Sequence, residues 1–306
     1  MPKLEFALDP GENSIEVVAY NARNLLASPP AQTSIAYTGP ADAVKPALHI
    51  LAIGIDDYAG DVPKLRLAVA DAKALAAAMR KAGEGLYKGV RVRTVLNEEA
   101  TGQGLDRIVS EFAAGIAPRD TFVLFAAAHG YSYRGRFYLI PQDYPGGTLG
   151  ETLSAHAIGQ DGLQNWIANR IKAKKALILL DTCESGALTN GFPASEAGVG
   201  RLHEATGRPI LTAAGSGQYA HEGVISATGE RHGIFTWAVL DSLKNGDTNG
   251  NGLIELSEIV AHVQNTVPEI AHGLARAVTS SEPVFGVQTP RFGSNGEDFP
   301  VVKKLN

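Results

Sequence analysis

The chain has 306 residues, enough for one large domain or two ordinary ones, and its 44% hydrophobic content with 34 Gly and 16 Pro is that of a soluble globular protein. A net charge of −5 argues against nucleic acid or an anionic membrane as partner. The single cysteine excludes an internal disulfide and a four-cysteine metal site.

No segment approaches the roughly 18 uninterrupted apolar residues of a membrane span. The start, MPKLEFALDPGENS, lacks a basic-then-apolar signal pattern, so a cytoplasmic protein is expected unless targeting information lay upstream. Residues 13–27 alternate apolar and polar and read as a strand or hairpin remnant, and the Pro-rich stretch 28–46 reads as a linker. One hairpin cannot bury a core, so residues 1–46 are expected to be the β remnant of an accessory module plus its linker.

From residue 47 to 306 a second unit is expected. The runs HILAIGI (49–55), VRVRTVL (90–96), TFVLFAAA (121–128) and ALILLD (176–181) are short, β-rich and bounded by breakers, as strands buried on both faces are. Residues 64–81, 104–117 and 162–171 carry helical apolar spacing. This alternation specifies an α/β layered domain with a mainly parallel central sheet flanked by helices. Sites in such sheets form at the carboxyl ends of strands.

Two such ends stand out. One run closes on Ala128-His129-Gly130 and another on Asp181-Thr182-Cys183-Glu184-Ser185-Gly186. A thiol is a weak nucleophile until an imidazole takes its proton, and Gly130 and Gly186 let the backbone bring N–H groups close to a developing oxyanion. Singly, each residue reads more readily as buried structure than as catalytic. The pair at equivalent strand ends points to acyl-transfer chemistry.

These two blocks resemble the catalytic segments of caspase-like cysteine peptidases, family C14, particularly the bacterial metacaspase or orthocaspase branch. The resemblance extends through Ala52-Ile-Gly-Ile-Asp56-Asp-Tyr58, Leu67-Ala-Val-Ala-Asp71-Ala72, Leu211-Thr-Ala-Ala-Gly215 and His232-Gly-Ile-Phe-Thr-Trp-Ala, covering about residues 48–302. The animal-caspase signature Gln-Ala-Cys-x-Gly is absent, and Ala126 to Ala128 replace the Ser or Gly frequent before the histidine in relatives. The resemblance implies a three-layer caspase–haemoglobinase sandwich. Cys183 would be the nucleophile, His129 the proton shuttle, and the N–H groups of Gly130 and Cys183 the oxyanion donors, with no third triad member nominated.

It also implies cleavage after Arg or Lys, with Asp71 and Asp181 as the acids of the primary pocket and Glu222 as a substrate contact. The plainer reading makes Asp71 a helix cap and Asp181 a turn cap. Substrates would be proteins or peptides with basic residues, the chain a monomer, the accessory module Ig-like or repeat-like, and no cofactor would be required for chemistry. The Gly/Ala-rich stretch 188–209 holds Arg201 and Arg208 and reads either as a self-cleavage segment or as a solvated loop.

Residues 247–258 fit an EF-hand-like loop, with Asp247, Asn249, Asn251, Glu255 and Glu258 as oxygen donors, Leu253 offering its carbonyl, and Gly252 at the sharp turn. Two Asn where tight sites have Asp point to weak Ca2+ binding, and the alternative is an Asn/Gly-rich turn capped by helices. His156, His203, His221, His232, His262 and His272 lack metal-ligand spacing and read as core or surface residues. Gly215-Ser216-Gly217 lacks the frame of a serine nucleophile elbow. Against the peptidase stand a catalytically silent caspase-like module that binds partners or senses calcium, and a thiol acyltransferase that would not need Asp71 and Asp181.

Overall fold

The computed structural model describes residues 8, 11–19, 21, 28–38, 45–146, 150–183, 202–203, 206–215, 218, 220–224, 231–277, 288–294 and 296–306. Among them no helix is long and apolar enough to cross a membrane.

Strands β1 (Gly11–Val17) and β2 (Ala31–Tyr37) pair antiparallel, Gly11 opposite Tyr37 and Val17 opposite Ala31, as a two-stranded sheet of their own. The second arm lies inside the stretch expected to be linker. Pro29 and Pro30 precede this strand rather than interrupt it, and its alternating Thr33, Ile35 and Tyr37 suit a pleated surface. Val17, Ile35 and Tyr37 are exposed.

The main unit begins with β3 (Leu48–Gly54), α1 (Ala68–Gly83), β4 (Val90–Leu96), α2 (Gly102–Ala113) and β5 (Thr121–Tyr133). It continues through β6 (Arg136–Leu139), α3 (Glu151–His156), β7 (Ile158–Gly159), α4 (Gln160–Gln164) and β8 (Lys175–Cys183). The helix expected over 162–171 is split, since α4 gives way to π-helical turns at Asn165–Arg170. After β9 (Ile210–Thr212) come the hairpin β10 (Glu222–Val224) and β11 (Arg231–Gly233), α5 (Ile234–Asn245), β12 (Leu253–Glu255), α6 (Leu256–Ala277), β13 (Arg291–Gly293) and β14 (Pro300–Lys303).

The central sheet has the order β13-β9-β8-β5-β3-β4, with β6 and β7 attached to the end of β5. Strands β4, β3, β5, β8 and β9 are parallel, and β13 closes the edge antiparallel. Successive residues of these apolar strands serve opposite faces. Leu51, Ile53, Phe122, Leu124, Ile178 and Leu180 pack with Leu105 and Phe112 of α2 and with Trp166. Their neighbours Ile50, Ala52, Val123, Phe125, Leu177 and Leu179 pack with Leu75 and Met79 of α1, Phe235 of α5 and Ile259 of α6. Two cores on one sheet make three layers, which is why the strands read as unbroken apolar runs.

The order also decides where a site can form. From β3 the chain leaves through α1 to β4 on one side, and from β5 through β6, α3, β7 and α4 to β8 on the other. The loops leaving β3 and β5 therefore part at their carboxyl ends and open a crevice there.

Candidate active site

The pairing of β5 with β8 ends on the rung that sets His129 opposite Cys183. Neighbouring strands lie about 4.8 Å apart, so the register alone brings these two backbones together. One residue further, β5 leaves the parallel sheet and pairs antiparallel with β6, Gly130 opposite Leu139. A Cβ on Gly130 would stand 2.8 Å from the Phe137 ring and 2.9 Å from Thr182 Cβ, so only glycine lets the strand change partners at this point.

The loop after β3 builds the seat of the imidazole. His129 is 7% exposed, and its Nε2 lies 2.7 Å from the carbonyl oxygen of Pro63. A carbonyl can only accept, so Nε2 carries the proton and Nδ1 is left with its lone pair. The backbone N–H of His129 donates to the Tyr58 hydroxyl at 2.8 Å, and the two rings stand 4.9 Å apart. Burial pulls the His129 pKa below the ordinary histidine value, against the Pro63 bond and the Glu222 charge, which work upward. The ring is thus neutral at neutral pH and able to receive a proton.

The expected acids come together around one glycine. Asp71, in the first turn of α1, is 2% exposed; its Oδ1 meets His232 Nδ1 at 2.6 Å and its Oδ2 accepts the Gly233 N–H at 2.9 Å. Asp181 Oδ2 accepts the Thr236 hydroxyl at 2.6 Å. A Cβ on Gly233 would lie 3.1 Å from the Oδ2 of both. Burial and then the Asp71 charge push Asp181 up to about 7, and burial raises Asp71 as well, opposed by its bonds to His232 and Gly233. Gly233, which precedes α5, and Thr236 in its first turn supply hydrogen bonds that oppose this rise at Asp71 and Asp181 respectively.

Glu222 is placed beside them by the pairing that sets it opposite Gly233. Its carboxylate accepts the N–H groups of Arg66 and Leu67, at 3.0 and 2.8 Å, at the entry to α1. Asp56 takes the next two, from Ala68 and Val69. These bonds give Glu222 a structural task in addition to its place near the acids.

Arg201 lies outside the described residues. Arg208 is half-buried, its guanidinium donating to the carbonyls of Lys174 and Ile171 at 2.7 and 3.3 Å. Asp247 accepts the N–H of Gly250 and Gly252, Asn249 that of Asn251, and Asn251 that of Leu253. Glu258 folds back on the Thr248 and Glu255 N–H groups; burial works to raise it, but hydrogen bonds from Glu255 and Thr248 hold it at about 2. Asn251 Nδ2 reaches Glu255, and Lys304 Nζ sits 3.6 Å from Asp247. Among the described residues no three His, Cys, Asp or Glu side chains are grouped to hold a metal ion.

Sequence reasoning missed Pro63, Tyr58, Thr236 and the partnership of His232. Pro63 acts through its carbonyl, which no side-chain pattern announces. Tyr58 and His232 stood within segments whose resemblance was noted, and their tasks depend on partners 71 and 161 residues away.

An open α/β sandwich with a mostly parallel sheet, carrying these residues at its strand ends, is caspase-like in architecture. The chain belongs to the C14 peptidase family: the caspase domain that defines it matches residues 48–294. The family is one of cysteine-type peptidases. Among solved structures the chain is similar to protein GSU0716 from Geobacter sulfurreducens, at 17% identity and a TM-score of 0.52, with 85% of this chain and 97% of that one covered. At that identity the likeness speaks for the fold alone. No curated protein matches the chain.

Proposed function

We propose that this chain is a cysteine endopeptidase that cuts after Arg or Lys, of the metacaspase-type branch of its family. The observation that carries the reading is the convergence of Asp71 and Asp181 on Gly233, with Asp181 only two residues before Cys183 on the same strand. A basic side chain gains charge-assisted bonds there that a neutral one cannot replace.

In this reading Cys183 loses its proton to Nδ1 of His129 and attacks the peptide carbonyl. The N–H groups of Gly130 and Cys183 take the oxyanion. As the C–N bond breaks, His129 returns the proton to the leaving amine, and water then hydrolyses the thioester. Pro63 keeps the ring in the tautomer that this sequence needs.

Self-cleavage, if it accompanies the activity, falls on Arg201 rather than on the engaged Arg208. Calcium enters only as a modulator through the oxygens of Asp247, Asn249, Asn251, Glu255 and Glu258 and the Leu253 carbonyl. Calorimetric titration of wild type beside Glu258→Gln tests it, and identical flat traces remove it.

The main test uses reporter peptides with Arg, Lys or Asp before the bond, on wild type and Cys183→Ala. Turnover of the basic reporters by wild type alone is expected. Preferential cleavage after Asp defeats the specificity, and no Cys183-dependent turnover or thiol labelling favours a silent module.

A further inference from the structure

Gly233 is glycine for a reason its backbone does not supply. Its φ of −59° and ψ of 145° are open to every L-residue, so no turn or left-handed conformation calls for it. What its missing Cβ leaves is space, bordered 3.1 Å away by Asp71 Oδ2 and 3.1 Å away by Asp181 Oδ2. Its own N–H fixes one of those oxygens, and Thr236, three residues on, fixes the other. The wall of the gap is thus the short hairpin β10–β11, running straight into α5.

His232 precedes it on the same strand. Its side chain is only 14% exposed, and its Nδ1 takes Asp71 Oδ1, the oxygen turned away from Gly233. A carboxylate pinned at both oxygens, by the imidazole and by the Gly233 amide, cannot rotate. Its remaining lone pair on Oδ2 stays directed at the gap.

We propose that Gly233 and His232 are specificity-determining residues of the basic-residue pocket. Gly233 keeps open the space between the two carboxylates in which a guanidinium seats, and His232 acts as a positioning residue that holds Asp71 toward it. This rests on the reading of Asp71 and Asp181 as the pocket acids. A methyl group at position 233 crowds both carboxylate oxygens and narrows that seat. Loss of the imidazole frees Asp71 to turn, whereas Asn at 232 can offer an N–H close to where Nδ1 stands.

The test separates the pocket from the chemistry by using agmatine, an aliphatic guanidinium, as probe and Cys183→Ala as the protein. Calorimetric titration is expected to give saturable binding, weakened at least tenfold by adding Gly233→Ala or His232→Ala and restored to within threefold by His232→Asn. Thermal melts accompany each variant, and if Gly233→Ala does not fold, the His232 pair decides. Equal affinities across the set overturn the proposal, as does absence of agmatine binding to Cys183→Ala. Hydrolysis of Arg reporters is measured on wild type in parallel. Binding that follows this pattern without any hydrolysis sinks the peptidase reading and leaves the pocket standing; hydrolysis whose KM ignores both residues sinks the pocket alone.

Discussion

Nε2 of His129 donates to the carbonyl oxygen of Pro63 across 2.7 Å, and this one bond leaves Nδ1 as the basic nitrogen of the ring. Burial holds the same ring below the ordinary histidine pKa. The acid limb of kcat should therefore fall below the usual histidine range, because the base remains neutral there. Its position in a kcat against pH profile checks this; a limb displaced above that range contradicts it. His129→Ala should lower kcat by about 10²-fold to 10⁴-fold.

The pH dependence of KM should differ from that of kcat. Asp181, pushed up to about 7 by burial and by Asp71, takes a proton as pH falls through that value, and a neutral carboxyl no longer attracts a guanidinium. KM for an Arg reporter is expected to rise below about pH 7 while kcat holds. Asp181→Asn should show a high KM at every pH, without that limb.

The same group predicts a conflict between binding and stability. The folded-state pKa of Asp181 lies above its unfolded value, so the native state holds the proton more tightly and loses stability as pH rises from about 4 to about 7. Above that window the deficit is complete. Asp181→Asn should melt several degrees higher than wild type near pH 8 and lose its advantage near pH 4. A variant that melts lower near pH 8 refutes the assignment.

Tyr58→Phe removes the acceptor of a buried N–H, that of His129. An unsatisfied donor costs about 1–3 kcal/mol, which urea unfolding should register. Because that donor belongs to the base itself, kcat should fall by more than KM rises. Unchanged stability and kcat would assign the Tyr58 contact no importance.

What the sequence disclosed and what it withheld divide along a physical line. The strand run at 121–128 was legible because burial on both faces leaves an unbroken apolar signature. The run at 90–96 is a strand as expected, but an edge strand in which only Val95 is buried, and the glycine after His129 marks a change of strand partner inside β5 rather than a turn. Asp71 and Asp181 were legible as candidates only through resemblance. Their meeting at Gly233 depends on an α1 to β11 contact across more than half the chain, which local pattern does not encode. Strand β2 escaped notice because two adjacent prolines made its neighbourhood read as linker, although neither lies within it. His232 looked like one of several scattered histidines for the same reason that Pro63 left no trace: each acquires its task from a distant partner.

The way the four carboxylates are held has a consequence for how substrate arrives. Asp56 and Glu222 rest on the amides opening α1, Asp71 and Asp181 on those opening α5 and on one imidazole. Amide dipoles steady an anion without cancelling its charge as a lysine or arginine would. Above about pH 7, where Asp181 is ionised, this group of acids therefore carries a negative field, strongest in dilute buffer and shortened to about 10 Å by 0.1 M salt. Capture of a cationic peptide becomes partly a matter of long-range guidance, and its bimolecular rate should fall with ionic strength even where the later covalent steps do not respond.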